Sequence, residues 1–245
     1  MSAGDEPSAL RERLAALIAS LAPDRSDPAP CPYLEGRDSR LLALRPERLA
    51  GPVYRAFLDL NFRRMGDLVY RPECDGCREC RQARVDVRGF APSRAQRRCA
   101  RRNGDVVATA GPPDPTEEKL ELYSRYLARR HDGQMTGSRE EFLALHRESA
   151  PFTREVVFRE SSGRLVGAGI FDELDDALSA VYFYFDPDLG ARAPGVLNVL
   201  WLVDRCRRGG RPWLYLGYLV ESAPTMAYKA AYRPQQVLGE DGRWR

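Results

Sequence analysis

Leu178-Ser179-Ala180-Val181-Tyr182-Phe183-Tyr184-Phe185-Asp186-Pro187 is the stretch that decides how this chain is read. Aromatic and β-branched residues fill it, and an Asp-Pro pair closes it, so it reads as a strand. Alternation puts Tyr182 and Tyr184 on one face and Phe183 and Phe185 on the other. Upstream, Thr153–Glu160 reads as a strand, Ser161-Ser162-Gly163 as a turn and Leu165–Phe171 as the hairpin partner. Downstream, residues 194–208 read as a helix, Trp213–Val220 as a strand, and Ser222 caps a helix running to about Tyr232. Two helices precede this set. Thr116 caps one that carries Lys119, Leu120, Leu122, Tyr123, Tyr126 and Leu127, and Ser138 with Glu141 forms a capping box for Phe142, Leu145 and His146.

Helices followed by strand, strand, strand, helix, strand, helix imply an α/β (α+β) fold with one mixed sheet. The order resembles the acetyltransferase-like GNAT arrangement. Enzymes of that fold that bind coenzyme A carry Arg/Gln-x-x-Gly-x-Gly/Ala, whose amides hold a pyrophosphate at a helix start. Here the place reads Arg192-Ala193-Pro194-Gly195-Val196-Leu197, with leucine last and a proline that removes one donor. An acetyltransferase using acetyl-CoA is therefore the weaker reading.

The chain has 245 residues, enough for one large core or two small ones. Its net charge is +3, and no apolar run has the length of a membrane helix. Leu10, Leu14, Leu17, Ile18 and Leu21 share one helix face, but Arg11-Glu12-Arg13 interrupts any signal-peptide core, so a cytoplasmic protein without membrane association is expected. Lys119 and Lys229 are the two lysines, and every other basic residue besides the histidines is arginine. Residues 22–32 form a proline-rich connection. Gly111-Pro-Pro-Asp-Pro115 marks a boundary between a Cys/Arg-rich N-terminal domain, 1–110, and a GNAT-like domain, 111–245.

Two features stand out in the first domain. Cys74-x-x-Cys77-x-x-Cys80 places three thiols at the spacing of a zinc or iron–sulfur site, and Cys31 or Cys99 supplies the fourth ligand. From Arg81 to Arg102 lie Arg81, Arg84, Arg88, Arg94, Arg97, Arg98, Arg101 and Arg102 with only Asp86 opposing, a stripe suited to RNA phosphates, with Gln96 and Asn103 able to add neutral contacts. A non-catalytic, metal-stabilised RNA-binding module accounts for both features but leaves the second domain without a purpose. No Gly-x-Ser-x-Gly elbow, Walker loop or Rossmann fingerprint occurs, so the chemistry starts from an already activated substrate.

Several stretches in order resemble one family. They are Cys31-Pro-Tyr-Leu, Phe62-Arg-Arg-Met-Gly, Tyr70-Arg-Pro-Glu-Cys-Asp-Gly-Cys-Arg-Glu-Cys, Phe90-Ala-Pro-Ser-Arg-Ala-Gln-Arg-Arg, Arg102-Asn103 and Tyr126-x-x-x-Arg130-His131. Leu178 to Pro187, Tyr215-Leu-Gly-Tyr and Met226-Ala-Tyr-Lys-Ala-Ala-Tyr-Arg-Pro complete the set. Together they are similar to the bacterial aspartate/glutamate leucyltransferases, relatives of the eukaryotic arginyl-tRNA–protein transferases. The resemblance implies transfer of leucine from leucyl-tRNA to proteins that begin with Asp or Glu, in the N-degron pathway of protein degradation. It also implies a GNAT-like second domain, and an iron–sulfur cluster on cysteines matching Cys31, Cys74, Cys77 and Cys80. Asp188-Leu-Gly-Ala-Arg192 and Ser222-Ala-Pro-Thr225 depart from the family pattern, which leaves arginine open as the alternative donor amino acid.

An aminoacyl ester needs no cofactor for transfer to an α-amine; positioning and stabilisation of the oxyanion suffice. Asp172, at a strand end, is the expected proton acceptor, and Tyr182 or Tyr184 the donor to the oxyanion or leaving oxygen. Arg71, Arg94 and Lys229 are expected to bind the acceptor's acidic side chain. Arg97 and Arg98, from the basic stripe, and Tyr218 complete the substrate-binding candidates.

Overall fold

The computed structural model describes residues 13, 16–20, 23–130, 137–147 and 150–245. Leu10, Leu14, Leu21 and His131, named above, lie outside the described residues. Residues 16–20 are helical, and after them come short strands and a helix: β1 (Asp24–Arg25), β2 (Ala29–Pro30), β3 (Asp38–Ser39), β4 (Leu41–Leu44), α1 (Gly51–Leu58), β5 (Arg63–Met65) and β6 (Leu68–Pro72). There follow β7 (Arg81–Asp86), α2 (Arg94–Arg102) and β8 (Val106–Gly111). The second half runs α3 (Glu117–Arg130), α4 (Arg139–Arg147), β9 (Thr153–Glu160), β10 (Leu165–Glu173) and β11 (Ala177–Phe185). It ends with α5 (Pro194–Arg208), β12 (Trp213–Leu219), α6 (Pro224–Ala227), a 3-10 turn at Tyr228–Ala231 and β13 (Gln235–Val237).

Seven strands form one mixed sheet in the order β13-β7-β12-β11-β10-β9-β8, antiparallel except where β11 meets β12. This is the GNAT-like sheet the strand order implies. A four-stranded sheet, β1-β4-β6-β5, stands beside it. Strands on both sides of the Gly111 boundary share the large sheet, so that boundary does not separate two independent sheets: β7, from residues 81–86, lies between β12 and β13.

α5 forms where Pro194 presets the first turn and Val199, Leu202, Val203 and Cys206 make an apolar stripe. The stripe packs on Phe158, Val166, Phe171, Leu178 and Leu214 of the large sheet. On the opposite face α3 and α4 bring Leu122, Tyr123, Leu127 and Phe142 onto Leu165, Ala168 and Tyr184. α1 packs Tyr54, Phe57 and Leu58 with Phe62, Leu174, Ala177 and Tyr215, joining the two sheets through a third cluster that also takes in Ile18.

One buried ion pair crosses between the sheets. Arg64 of β5 and Asp172 of β10 are both fully buried. Arg64 Nε donates to Asp172 Oδ2 at 2.9 Å and Nη2 reaches both Oδ1 and the Thr153 hydroxyl; Nη1 donates to Gly66 O at 2.5 Å, and Thr153 Oγ1 donates to Asp172 Oδ1 at 2.9 Å. The expectation that Asp172 accepts a proton from a substrate amine is corrected here: its carboxylate is sealed from solvent and committed to Arg64.

Replacing Asp172 with Asn leaves a buried guanidinium without its counter-charge. We expect a loss of about 3–5 kcal/mol of stability, the scale for breaking a buried pair by removing one partner. Urea unfolding measures it; a change under about 1 kcal/mol would show that the pair does not hold the sheets together.

Candidate active site

β11 and β12 pair only from Ala177↔Trp213 to Ser179↔Tyr215. Beyond that point β11 continues along β10, and β12 continues along β7, so the two parallel neighbours part. Arg63 reaches this split from β5. Its Nη2 donates to Ala180 O at 2.6 Å and to Val181 O at 3.3 Å, both on β11. On the β12 side stands Gly217, at φ +83° where the register slips, and a Cβ there would collide with the Arg63 guanidinium. Glycine is thus required twice, for the backbone angle and for the close approach.

Lys229 lies against the same strand, its Nζ donating to Tyr218 O at 2.5 Å with Met226 Sδ at 3.6 Å. Burial first, and then the Arg63 charge, push its ammonium down to about 7. The Tyr218 hydroxyl donates to Asn61 O at 3.0 Å, with Tyr70 O at 3.3 Å, fixing β12 to the small lobe. Burial pushes the Tyr218 hydroxyl well above its ordinary value.

Asn61 takes a left-handed backbone, φ +67°, and its side chain bonds Cys80 O and the Gln82 amide. It thereby carries the cysteine segment to the split. Burial pushes the Cys80 thiol up to about 12, and the sulfurs of Cys31, Cys74 and Cys77 add to the shift. The four sulfurs of the expected set are therefore neighbours. Arg40 N donates to Cys74 Sγ at 3.5 Å and Arg37 Nη1 to Cys77 Sγ at 3.7 Å. Cys99 is elsewhere, at Arg192 O and Ala193 O, which leaves Cys31 as the fourth member. Among the described residues no three Cys, His, Asp or Glu side chains already surround one point as ligands. The donor chemistry fits a thiophilic cation or cluster, since neighbouring thiols lose their protons together only if positive charge joins them.

Other expected site residues scatter. Tyr184 is fully buried, under Tyr123 and 3.5 Å from His146 Nε2, so its face of β11 is covered by α3 and α4 and does not line a cleft. Tyr182 lies farther along that face, beside Tyr123, and its buried hydroxyl has no hydrogen-bond partner. Arg71 sits over the Phe62 ring and bonds Glu73 at 3.0 Å, which occupies it within the small lobe.

The arginine stripe divides. Arg84 is buried, stacked between Trp213 and Trp244 and bonded to Gln236, so it does not contact RNA. Gln96 closes the α2 capping box with Ser93 and bonds Ala231 O, and Asn103 is buried, so neither offers the neutral RNA contacts expected of them. Arg94, Arg97, Arg98 and Arg101 stand exposed on α2, and Arg94, Arg98 and Arg101 have no acidic partner among the described residues.

The place of a coenzyme A pyrophosphate is filled from within. Asn103 Nδ2 donates to Arg192 O at 2.9 Å, and Arg192 returns Nε to Asn103 Oδ1 at 3.0 Å. Arg192 turns inward to Glu160 and Asp105, and Ala193 enters α5 with a left-handed backbone. Arg63 is the residue that sequence reasoning missed. Its signal was two adjacent arginines, Arg63 and Arg64, directly after Phe62: on a strand they face opposite ways, so both cannot be solvated when the strand is enclosed.

Residues 29–98 match the family described as "Arginine-tRNA-protein transferase, N terminus", and residues 118–239 that described as "Arginine-tRNA-protein transferase, C terminus". The chain is similar to the aspartate/glutamate leucyltransferase of Halorhodospira halophila, 42% identical over 220 residues that cover 88% of this chain and 92% of that protein. It is similar also to that of Maricaulis maris, 40% identical over 217 residues, 87% and 85% of the two chains. Among solved structures, the C-terminal domain of a putative lysylphosphatidylglycerol synthetase from Agrobacterium fabrum overlays with a TM-score of 0.47 at 13% identity, covering 89% of this chain and 61% of that one.

Proposed function

The chain belongs to the aspartate/glutamate leucyltransferase family, and on that premise we propose that it takes leucine from leucyl-tRNA and joins it to the N-terminal Asp or Glu of acceptor proteins. Identity of about two residues in five along nearly the whole of both chains carries this reading. The filled pyrophosphate place supports an acyl donor other than coenzyme A, and an aminoacyl ester needs none.

The acceptor's α-amine is the nucleophile. Its ordinary pKa of about 7.7–8.0 leaves roughly a tenth neutral at pH 7, so holding it against the ester carbonyl supplies much of the rate. Asp172 takes no part in this.

The tRNA is proposed to lie across α2, on Arg94, Arg97, Arg98 and Arg101. Gln96 ties that helix to the turn carrying Lys229, which sets bound phosphates beside the split. Cys31, Cys74, Cys77 and Cys80 are proposed to hold zinc or an iron–sulfur cluster. When bound, it supplies the charge that lets four thiolates share a site and staples the small lobe. Among the described residues no helix is long and apolar enough to cross a membrane.

Purified protein given Leu-tRNA and Arg-tRNA separately, with peptides beginning Asp, Glu or Ala, is expected to transfer leucine to Asp and Glu alone; transfer of arginine instead would move the donor, and transfer of neither would end the reading. Changing Arg94, Arg98 and Arg101 together to alanine is expected to flatten the log–log salt dependence of tRNA binding by about 2 to 3. An unchanged slope would place the RNA elsewhere. Metal analysis of anaerobically purified protein is expected to find metal that Cys31→Ala loses and Cys99→Ala keeps; equal retention in both variants would rule out the assigned ligand set.

A further inference from the structure

Among the described residues the buried Lys and Arg side chains are each given a carboxylate, with two exceptions. Arg64 has Asp172, Lys119 has Glu155 at 2.6 Å, and Arg84 has Asp59 at 3.7 Å. Arg63 and Lys229, 8% and 6% exposed, have none. Arg63 spends Nη2 on the carbonyls of β11, and its buried Nη1 has no partner. Lys229 donates to one carbonyl of β12 and touches a thioether. Arg63 packs against Gly217 and Lys229 bonds the carbonyl of the next residue, Tyr218, so the two cations meet at one place on β12, where the Arg63 charge acts on the Lys229 ammonium.

The tyrosine hydroxyls near them stay neutral at physiological pH: burial pushes Tyr33 up to about 12 and Tyr218 higher still. Tyr228, half exposed, stands over Lys229 with its ring 5.8 Å from Nζ, so the pair lies one side chain from solvent. Such a pair is an uncompensated charge that an entering anion completes.

Resting on the transfer reading above, we propose that Arg63 and Lys229 form the receptor for the side-chain carboxylate of the acceptor's N-terminal residue. A carboxylate between them satisfies the free Nη1 donor and the ammonium at once. Asn or Gln of the same shape brings no charge and leaves both cations unpaired, which makes rejection of the neutral analogue the natural outcome. The flexible lysine tip accommodates the one-methylene difference between Asp and Glu, while Arg63, pinned to Ala180 and Val181, sets the direction of entry. The exposed arginines of α2 suit tRNA phosphates better than this enclosed pair does.

The test compares leucyl transfer to peptides identical except for a first residue of Asp, Glu or Asn, with leucyl-tRNA binding measured in parallel. Wild type is expected to prefer Asp over Asn by at least about a hundredfold in kcat/KM. Lys229→Met is expected to raise KM for the Asp peptide by about tenfold or more and to collapse that preference, with tRNA affinity held within about twofold. An intact Asp preference in Lys229→Met overturns the proposal, as does a lost tRNA affinity with unchanged KM for the Asp peptide, which would make the pair a tRNA contact. If the Met variant does not fold, Lys229→Arg decides. A broader, forked cation in the same place is expected to shift the Asp to Glu ratio by about threefold or more, and an unshifted ratio overturns the proposal. Failure of wild type to use the Asp peptide would instead strike the transfer reading itself.

Discussion

The Arg64–Asp172 pair is the constraint on which the rest of the arrangement depends. β5 has only three residues and belongs to the small sheet, yet it must be held against the large one. Arg64 does this by plugging into β10 on one side. Because adjacent residues on a strand face opposite ways, fixing Arg64 also fixes Arg63 on the other side, where β11 and β12 part. A pair that brings no chemistry of its own thus determines where a cation stands in the cleft. The carboxylate that looked catalytic at a strand end is instead the anchor for the strand that carries Arg63.

What could be read from the chain and what could not divide along physical lines. The hairpin at residues 153–173, the aromatic strand and α5 were legible because local alternation, turn residues and helical spacing carry their own signal. The seven-stranded order follows from them, but the place of β7 does not, since nothing local tells a strand at residue 81 that its neighbours are β12 and β13. Asp172 misled for the same reason: its partner is far away in sequence, and burial is invisible until both are placed. Tyr184 was correctly put on the face of Tyr182, but that face meets α3 and α4. Arg84 looked like the rest of the stripe until two tryptophans closed over it. The cysteine motif was the opposite case, since close spacing alone brings three thiols together, and Cys31, unlike Cys99, lies near them in the fold.

The former phosphate place explains how one scaffold serves a different donor. A coenzyme carries its own anionic handle and needs amides at the α5 start to receive it. Here Asn103 and Arg192 bond each other just before that start, the Val196 and Leu197 amides bond Ala193 O, and, among the described residues, unpaired positive charge stands instead on the outer face of α2. On the transfer reading proposed above, the donor is held on that surface rather than in a loop.

The position of β7 also bears on how the chain is made. Translation delivers β7 early, yet Asp86 pairs with Trp213 and Val85 with Gln235. The strand that becomes the inside of the sheet must therefore wait, with its backbone unpaired, until residues 213–237 have been made. Pairings this distant close slowly and leave strand edges open to wrong neighbours in the meantime. Folding of the cleft is a late event, completed together with the last strand, and a truncated product would lack the two strands that β7 requires.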